Sequence, residues 1–100
     1  MAYESGALEA TLSAAAGGDV ELLTELRAAY AESVARQVDL LERSRCDGNW
    51  QVAAQRLRGL AASFHSGPLL LLAEEAIAAA PGEPTVVRRL KAHVAELFVD

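Results

Sequence analysis

Four short breaks rich in glycine and proline divide this chain of 100 residues into five segments, and they constrain its fold more than any other feature. The breaks are Gly17-Gly18, Asp47-Gly48-Asn49, Ser66-Gly67-Pro68 and Pro81-Gly82-Glu83-Pro84. Each combines residues that are typical of turns with residues that start or stop helices. Between the breaks, leucine, valine and alanine recur at intervals of three and four, which is the spacing of one face of an α-helix. The chain is therefore predicted to be all-helical.

The first two segments differ in length and in amphipathic character. The first, about residues 6–16, has Leu8 and Leu12 four positions apart, so we expect a short helix that packs across one end of the others. The second begins at Asp19, a residue type that commonly caps a helix N-terminus. Its apolar positions keep the helical spacing over about seven turns. They are Leu22, Leu23, Leu26, Tyr30, Val34, Val38 and Leu41. This segment is predicted to be the longest helix.

Each of the other three segments is predicted to be an amphipathic helix. The third has Asn49 as its expected N-cap and ends near residue 64 or 65. Pro68 and Pro84 stand near the first position of the fourth and fifth helices, where the missing N–H removes no hydrogen bond. The apolar residues of the third helix are Trp50, Ala53, Ala54, Leu57, Leu60, Ala61 and Phe64. Those of the fourth are Leu69–Leu72, Ala73, Ala76 and Ile77, and those of the fifth are Val87, Leu90, Val94, Leu97 and Phe98. Four such helices with short connections predict an antiparallel up-down four-helix bundle with a short extra N-terminal helix, in one domain over residues 1–100.

Composition excludes several classes of function. Acidic residues outnumber basic residues, 14 to 9, and the net charge is −5, so we do not expect nucleic-acid binding. One cysteine and two histidines are too few for a typical closed zinc site, and we predict no metal and no cofactor. The longest apolar run, Leu69–Ala73, is too short to cross a membrane, and the first residues lack the pattern of a signal peptide. We therefore expect a cytoplasmic protein, and its richness in alanine and arginine suggests a bacterial source.

Cys46, His65 and His93 carry the most reactive side chains, and none of them is part of a recognisable catalytic pattern. Cys46 follows Arg45 with no histidine near it in the sequence, so we interpret it as a solvent-facing structural cysteine. His65 is interpreted as a charge that complements the dipole at the end of the third helix. His93 is interpreted as a boundary histidine with one edge in water. Because the sequence has no nucleophile–base pattern and no phosphate-binding glycine loop, we predict that the protein is not an enzyme.

The third predicted helix has an unusual polar face with small residues in its middle. At 100° per residue, the positions on this outward face are Gln51, Gln55, Arg58, Gly59 and Ala62. Glycine inside a surface helix costs about 1 kcal/mol relative to alanine, so the presence of Gly59 needs an explanation. One explanation is close packing of another helix of the same chain. The other is that the backbone of a partner protein approaches this face.

At these residues the chain resembles the histidine-containing phosphotransfer (HPt) domains of phosphorelays. That family has a helix of the pattern His-x-Leu-Lys-Gly-x-Ala/Ser after a Gly-Asp/Asn-Trp turn. The corresponding segments here are Gly48-Asn49-Trp50 and Gln55-Arg56-Leu57-Arg58-Gly59-Leu60-Ala61. The likeness extends over most of the chain, because the segment 18–26 resembles the family's long second helix and the last two predicted helices also fit the family.

The resemblance implies that Gln55 occupies the position of the family's phosphorylated histidine. A glutamine side chain cannot accept a phosphoryl group as imidazole does, because its nitrogen lone pair is delocalised. Arg58 stands in for the family's lysine, Gly59 is retained, and Ile77 occupies a position that is polar in many members. The resemblance therefore implies a pseudo-phosphotransfer signalling protein. Such a protein binds the receiver domain of a response regulator, or a histidine kinase, through the outward face of the third helix without carrying phosphate.

Two alternatives stay open at this stage. Leu69–Leu72 contains more leucines than one helix face buries, so the chain is alternatively a structural or dimerising bundle with no phosphorelay role. The second alternative is an active phosphotransfer protein that uses another residue. His65 is a poor substitute for Gln55, because it lies about 15 Å further along the helix and about 80° around it. Between the two oligomeric states, we expect a monomer rather than a homodimer.

Overall fold

The computed structural model describes residues 2–98 of the chain, and it describes side chains from residue 6 onward. The predicted domain over residues 1–100 thus includes Met1, Val99 and Asp100, which lie outside the described residues. The elements are α1 (Ala2–Ala16), α2 (Val20–Arg43), α3 (Asp47–Phe64), α4 (Gly67–Ala78) and α5 (Pro84–Leu97). Because no strand occurs over residues 2–98, the prediction of an all-helical protein is confirmed for that part of the chain. None of the described helices is both long enough and apolar enough to span a membrane.

Three of the predicted helix starts are confirmed by their capping geometry. The side chain of Asp19 accepts a hydrogen bond from the backbone N–H of Leu22 at 3.1 Å and so caps α2. Pro68 and Pro84 lie in the first turn of α4 and α5, where a residue without an N–H is tolerated. With 24 residues, α2 is the longest described helix, as its long apolar stripe predicts.

The predicted starts of α1 and α3 are wrong. The first helix begins at Ala2 rather than near residue 6, and Gly6 lies inside it. The expectation that this helix is short is also wrong, since its 15 residues exceed the 12 of α4 and the 14 of α5. Asn49 is not the N-cap of α3, which begins at Asp47 after an extended Cys46. The backbone N–H of Trp50 donates to the carbonyl oxygen of Cys46 at 3.1 Å, which places Asn49 inside the first helical turn. The carboxylate of Asp47 favours this earlier start, because a negative charge complements the dipole at a helix N-terminus.

The helices pack so that α3 and α5 each lie between α2 and α4. Within residues 2–98, α3 contacts α2 and α4, α5 contacts the same two helices, and α3 and α5 do not contact each other. The first helix packs on α2, α3 and α4, and it buries Leu12 and Ala16. It follows that α3 and α5 are on opposite sides of the molecule, so the outward face of α3 points away from α5.

The core is aliphatic and is organised around one tryptophan. Trp50 is fully buried, and its Nε1 donates to the backbone carbonyl of Ala76 at 2.9 Å, which joins α3 to α4. The rings of Tyr30 and Phe64 join α2 to α3, with centroids 4.9 Å apart. The buried hydrophobic residues that form this core are Tyr30, Val34, Val38, Leu41, Trp50, Ala53, Ala54, Leu57, Ala61, Leu69, Leu72, Ala73, Ala76, Val86, Val87 and Leu90.

The predicted apolar stripes are correct in their centres, apart from the exposed Leu71 of α4, and are wrong near their ends. Leu22 is 37% exposed, and Phe98 lies after the end of α5 with 55% of its surface exposed. Val86, which the predicted stripe omits, is fully buried. The reason is that only the turns of a helix that face a neighbour are covered, and sequence spacing does not show where the neighbour ends. Leu22 lies in the first turn of α2, and Phe98 follows the last turn of α5.

Candidate functional site

Four of the five residues predicted to bind a partner are exposed on the outer side of α3. They are Gln55, Arg58, Gly59 and Ala62, and we call them the α3 outer face. The opposite side of the same helix carries the buried residues Trp50, Ala53, Ala54, Leu57 and Ala61. The exposed and buried positions follow from the helical period, because residues seven apart, such as Gln55 and Ala62, lie on one side of the helix. The helical period of α3 is therefore enough to predict that these residues are on the surface, whatever the positions of the other helices.

Gln51, the fifth predicted residue, is half-buried and bonded to α4. Its Nε2 donates to the backbone carbonyl of Ile77 at 3.1 Å, next to the bond between Trp50 and Ala76. These two adjacent side-chain bonds fix the rotation of the first turns of α3 against the end of α4. Gln51 is thus held by its own chain, and its structural role is to orient the α3 outer face rather than to project from it.

No residue that the structure describes packs so closely against Gly59 that a glycine is needed there. A Cβ atom built on Gly59 meets nothing within 4 Å, and the residue is exposed in the middle of α3. Within the described residues, the explanation by close packing of another helix of the same chain is therefore wrong. The backbone of α3 at Gly59 is open to another molecule.

We expect that Gly59→Ala raises the free energy of unfolding by about 1 kcal/mol. Alanine has the higher helix propensity and restricts the unfolded chain, and the structure leaves space for its methyl group. Urea denaturation followed by circular dichroism measures the change. Gly82→Ala serves as the control, because Gly82 has φ +86° and alanine there is strained, so that variant should be less stable. A loss of stability in Gly59→Ala would contradict an open site.

Arg58 supplies a positive charge next to this opening. It lies one turn after Gln55, and no carboxylate pairs with it among residues 6–98. The ion pairs of that part of the chain instead join Arg27 to Glu9, Arg43 to Asp39, Arg89 to Glu75 and Lys91 to Glu42. On a chain with net charge −5, an arginine that has no carboxylate partner among residues 6–98 is a local site for an acidic group.

A groove between α2 and α3 adjoins the α3 outer face at Gly59. It has a volume of about 350 Å³, and its charged lining residues are Arg36 and Arg56. A second groove of about 370 Å³ continues it along the same two helices and shares Arg56 with it. Sequence analysis missed these two arginines, because the register between α2 and α3 brings them together. The spacing of Ser33, Arg36 and Gln37 on α2 was the one local sign of a polar edge.

The structure does not bring the two histidines to Gln55. His65 is the C-cap of α3 in the left-handed conformation, with φ 61°, and it is exposed at the helix end where the sequence placed it. His93 lies on α5, which makes no contact with α3 over residues 2–98. Cys46 is exposed, as predicted. Ile77, which the resemblance places opposite Gln55, is half-buried on α4, and its carbonyl oxygen accepts from Gln51.

Burial lowers the pKa of His93 below its ordinary value, and the nearby Glu96 carboxylate partly opposes this effect. The imidazole of His93 therefore binds a proton less readily in the folded chain than in the unfolded chain. It follows that the stability contributed by neutral His93 is full above pH 6.5 and is lost as the pH falls below it.

We expect that His93→Leu reduces the slope of stability against pH between about 7 and 5, because it removes the proton that only the unfolded chain binds readily. Urea denaturation at several pH values measures the slope. His65→Asn is the control, because His65 is exposed and asparagine tolerates the left-handed conformation. An unchanged slope in His93→Leu would show that His93 does not cause the pH dependence.

Comparisons of this chain with protein-family models, with curated proteins and with solved structures find no match. The likeness to HPt domains therefore stays a prediction from the residues around Gln55. In the described part of the chain, no three side chains of the types that ligate metals come together. The candidate site is the α3 outer face, which includes Arg58 and the exposed backbone at Gly59.

Proposed function

We propose that this protein is a pseudo-phosphotransfer protein, which binds a receiver domain or a histidine kinase through the α3 outer face without carrying phosphate. The observation that supports the proposal best is Gly59, which is exposed in mid-helix and has nothing within 4 Å of a built Cβ atom in the part of the chain that the structure describes. A glycine there costs stability, and the described part of the chain gives no compensation for that cost. Approach of a partner's backbone provides a reason for it.

The chemistry of the neighbouring side chains fits a binding role better than a transfer role. Arg58 attracts an acidic or phosphorylated group on the partner, because its guanidinium can donate two parallel hydrogen bonds to a carboxylate or phosphate. Gln55 offers an amide that donates and accepts hydrogen bonds, and it offers no nitrogen that can be phosphorylated. Ala62 adds a small apolar contact. The proposed partner therefore lies flat on α3 and exchanges no phosphate with it.

The proposal includes the antiparallel up-down four-helix bundle of HPt domains, with α1 as the extra N-terminal helix. Two observations support this arrangement. Each of α2, α3, α4 and α5 contacts two others of the four, and the connections between them are short. Short connections favour antiparallel neighbours, since a parallel neighbour needs a connection as long as the helix.

Binding to purified receiver domains tests the proposal, with glycine-to-glutamate substitutions at two positions of α3. We expect that Gly59→Glu weakens binding by at least about tenfold, because the substitution inserts a bulky charge into the interface. Gly48→Glu is the matched control. Gly48 is exposed in the first turn of the same helix with equally open space, and it lies outside the α3 outer face.

Calorimetry with the receiver domains and histidine kinases of the source organism, each with and without phosphate, measures these affinities. Circular dichroism confirms that both variants keep the helical content of the wild type. The proposal is refuted if none of these partners binds the wild type. It is also refuted if Gly59→Glu binds as tightly as Gly48→Glu.

We further expect that Gln55→His alone restores little phosphoryl transfer. The resemblance places Ile77 opposite this position, and an isoleucine side chain offers an imidazole no polar partner to orient it. Incubation with a receiver phosphorylated by labelled phosphate measures the transfer, with the wild type as the control. Rapid phosphorylation of Gln55→His would contradict this account of α4. Acid-labile label on His65 or His93 of the wild type would instead support an active phosphotransfer protein.

A further inference from the structure

A second surface, formed without residues of α3, has the features of an interface. It is a groove between α4 and α5 with a volume of about 460 Å³, and we call it the α4/α5 groove. Leu71 and Leu72 line it from α4, and Arg89, Ala92, His93 and Glu96 line it from α5. None of the residues that line this groove belongs to α3, and α5 makes no contact with α3 within residues 2–98.

Two side chains of the α4/α5 groove are poorly accommodated in a single copy of the chain. Leu71 is 64% exposed, although its neighbours Leu69 and Leu72 are buried. The Nε2 atom of His93 is buried and has no hydrogen-bond partner among the described residues. An exposed leucine is unfavourable in water, and a covering molecule would remove that cost. The Nε2 atom is already buried within one copy, so it is Leu71 that favours a covering molecule.

The charges of the groove indicate which molecule covers it. Arg89 and Glu96 are seven residues apart on α5, so they lie on the same side of the helix about 10.5 Å apart. They carry opposite charges, and they are symmetric about the midpoint between Ala92 and His93. A two-fold axis through that midpoint, perpendicular to α5, places Arg89 of one copy opposite Glu96 of the other. The pattern is thus complementary to itself, which is what an isologous interface requires.

We propose that the α4/α5 groove is a homodimer interface, in which α5 of one copy packs antiparallel to α5 of a second copy. Ala92 at the centre is small enough to let the two helices approach closely. Arg89 keeps its ion pair with Glu75 of its own chain and adds a bond to Glu96 of the second copy, since a guanidinium has five N–H donors. Leu71 of each copy is covered at the edge of the contact. This dimer replaces the monomer expected from the sequence, and it does not depend on the proposed function.

Sedimentation velocity over a wide range of protein concentration tests the proposal. We expect the wild type to show a concentration-dependent equilibrium between monomer and dimer. Leu71→Asp should raise the dimer dissociation constant at least about tenfold, because it places a charge in the covered region. Val20→Asp is the matched control, since Val20 is exposed on α2 outside the groove and should leave the equilibrium unchanged. A wild type that stays monomeric at every concentration overturns the proposal, and so does a dimer that Leu71→Asp leaves intact.

A charge exchange tests the antiparallel register itself. Glu96→Arg alone should weaken the dimer about tenfold, because it places like charges opposite each other at both ends of the contact. The double variant Arg89→Glu/Glu96→Arg restores opposite charges across the two-fold axis and should recover most of the lost affinity. A double variant that dimerises no better than Glu96→Arg overturns the register. Arg89→Glu also removes the exposed ion pair with Glu75, so circular dichroism melting must show that the double variant is folded.

Discussion

Replacing Trp50 with alanine is expected to lower the free energy of unfolding by about 3–5 kcal/mol, the usual cost of removing a large buried aromatic side chain. Trp50 is fully buried at the contact between α3 and α4. The substitution leaves a cavity that the surrounding leucines and alanines fill only in part. Urea denaturation at constant pH measures the loss. Because small domains have a total stability of about 5–15 kcal/mol, this one change removes a large share of it.

The hydrogen bond of Trp50 is expected to account for a separate part of that loss. Trp50→Phe keeps most of the ring volume but removes the bond from Nε1 to the carbonyl oxygen of Ala76, which keeps its bond from the backbone N–H of Ala79 at 3.3 Å. The net contribution of one such hydrogen bond is about 0.5–1.5 kcal/mol. The phenylalanine variant should therefore lie between the wild type and Trp50→Ala in stability. Equal stability of Trp50→Phe and the wild type would show that the bond to Ala76 contributes nothing.

Leu57→Asp is expected to prevent stable folding, whereas Val52→Asp in the same helix should be tolerated. Leu57 is fully buried in the core, and a carboxylate there has no partner, which costs several kcal/mol or forces the group to take up a proton. Val52 is 49% exposed at the edge of the groove between α2 and α3. An aspartate there stays in water, so it should change the free energy of unfolding by no more than about 1 kcal/mol, as is usual for a surface substitution.

Circular dichroism and thermal melting compare the two aspartate variants, and Leu57→Ala provides an intermediate case without a charge. We expect Leu57→Ala to cost about 2–5 kcal/mol and to remain folded. The comparison tests the rotation of α3 about its axis, on which the exposure of Gln55 and Arg58 depends. If Val52→Asp were the more harmful variant, α3 would be rotated and the α3 outer face would not be on the surface.

Much of the fold was predictable because the signals that decide it are local. Asp19 and the two prolines at the starts of α4 and α5 act on backbone groups of their own helix, and all three were interpreted correctly. The start of α3 was not predicted correctly, because Cys46, Asp47 and Asn49 are competing candidates for the helix boundary within four residues. The differences in capping free energy among these residues are smaller than the free energy of the tertiary contacts that hold Trp50 in place.

The candidate site also has some features that the sequence predicts and others that it does not. The exposure of Gln55 and Arg58 follows from the helical period, so the sequence was enough to place them. The bond from Gln51 to the carbonyl of Ile77 joins residues 26 apart in the sequence, and no pattern within α3 predicts it. The same holds for Arg36 and Arg56, which come from different helices and meet along one groove.

The amino-acid sequence by itself determined that the chain is helical, approximately where each helix lies and which side of α3 faces water. It could do so because hydrogen bonds and side-chain periodicity within a helix depend on residues at most a few positions apart. Only the tertiary structure decided that α3 and α5 lie on opposite sides, that Gln51 is held by α4 and that Leu71 is exposed beside His93. Those features depend on the rotation and register of helices against one another, which are set by packing across the whole core.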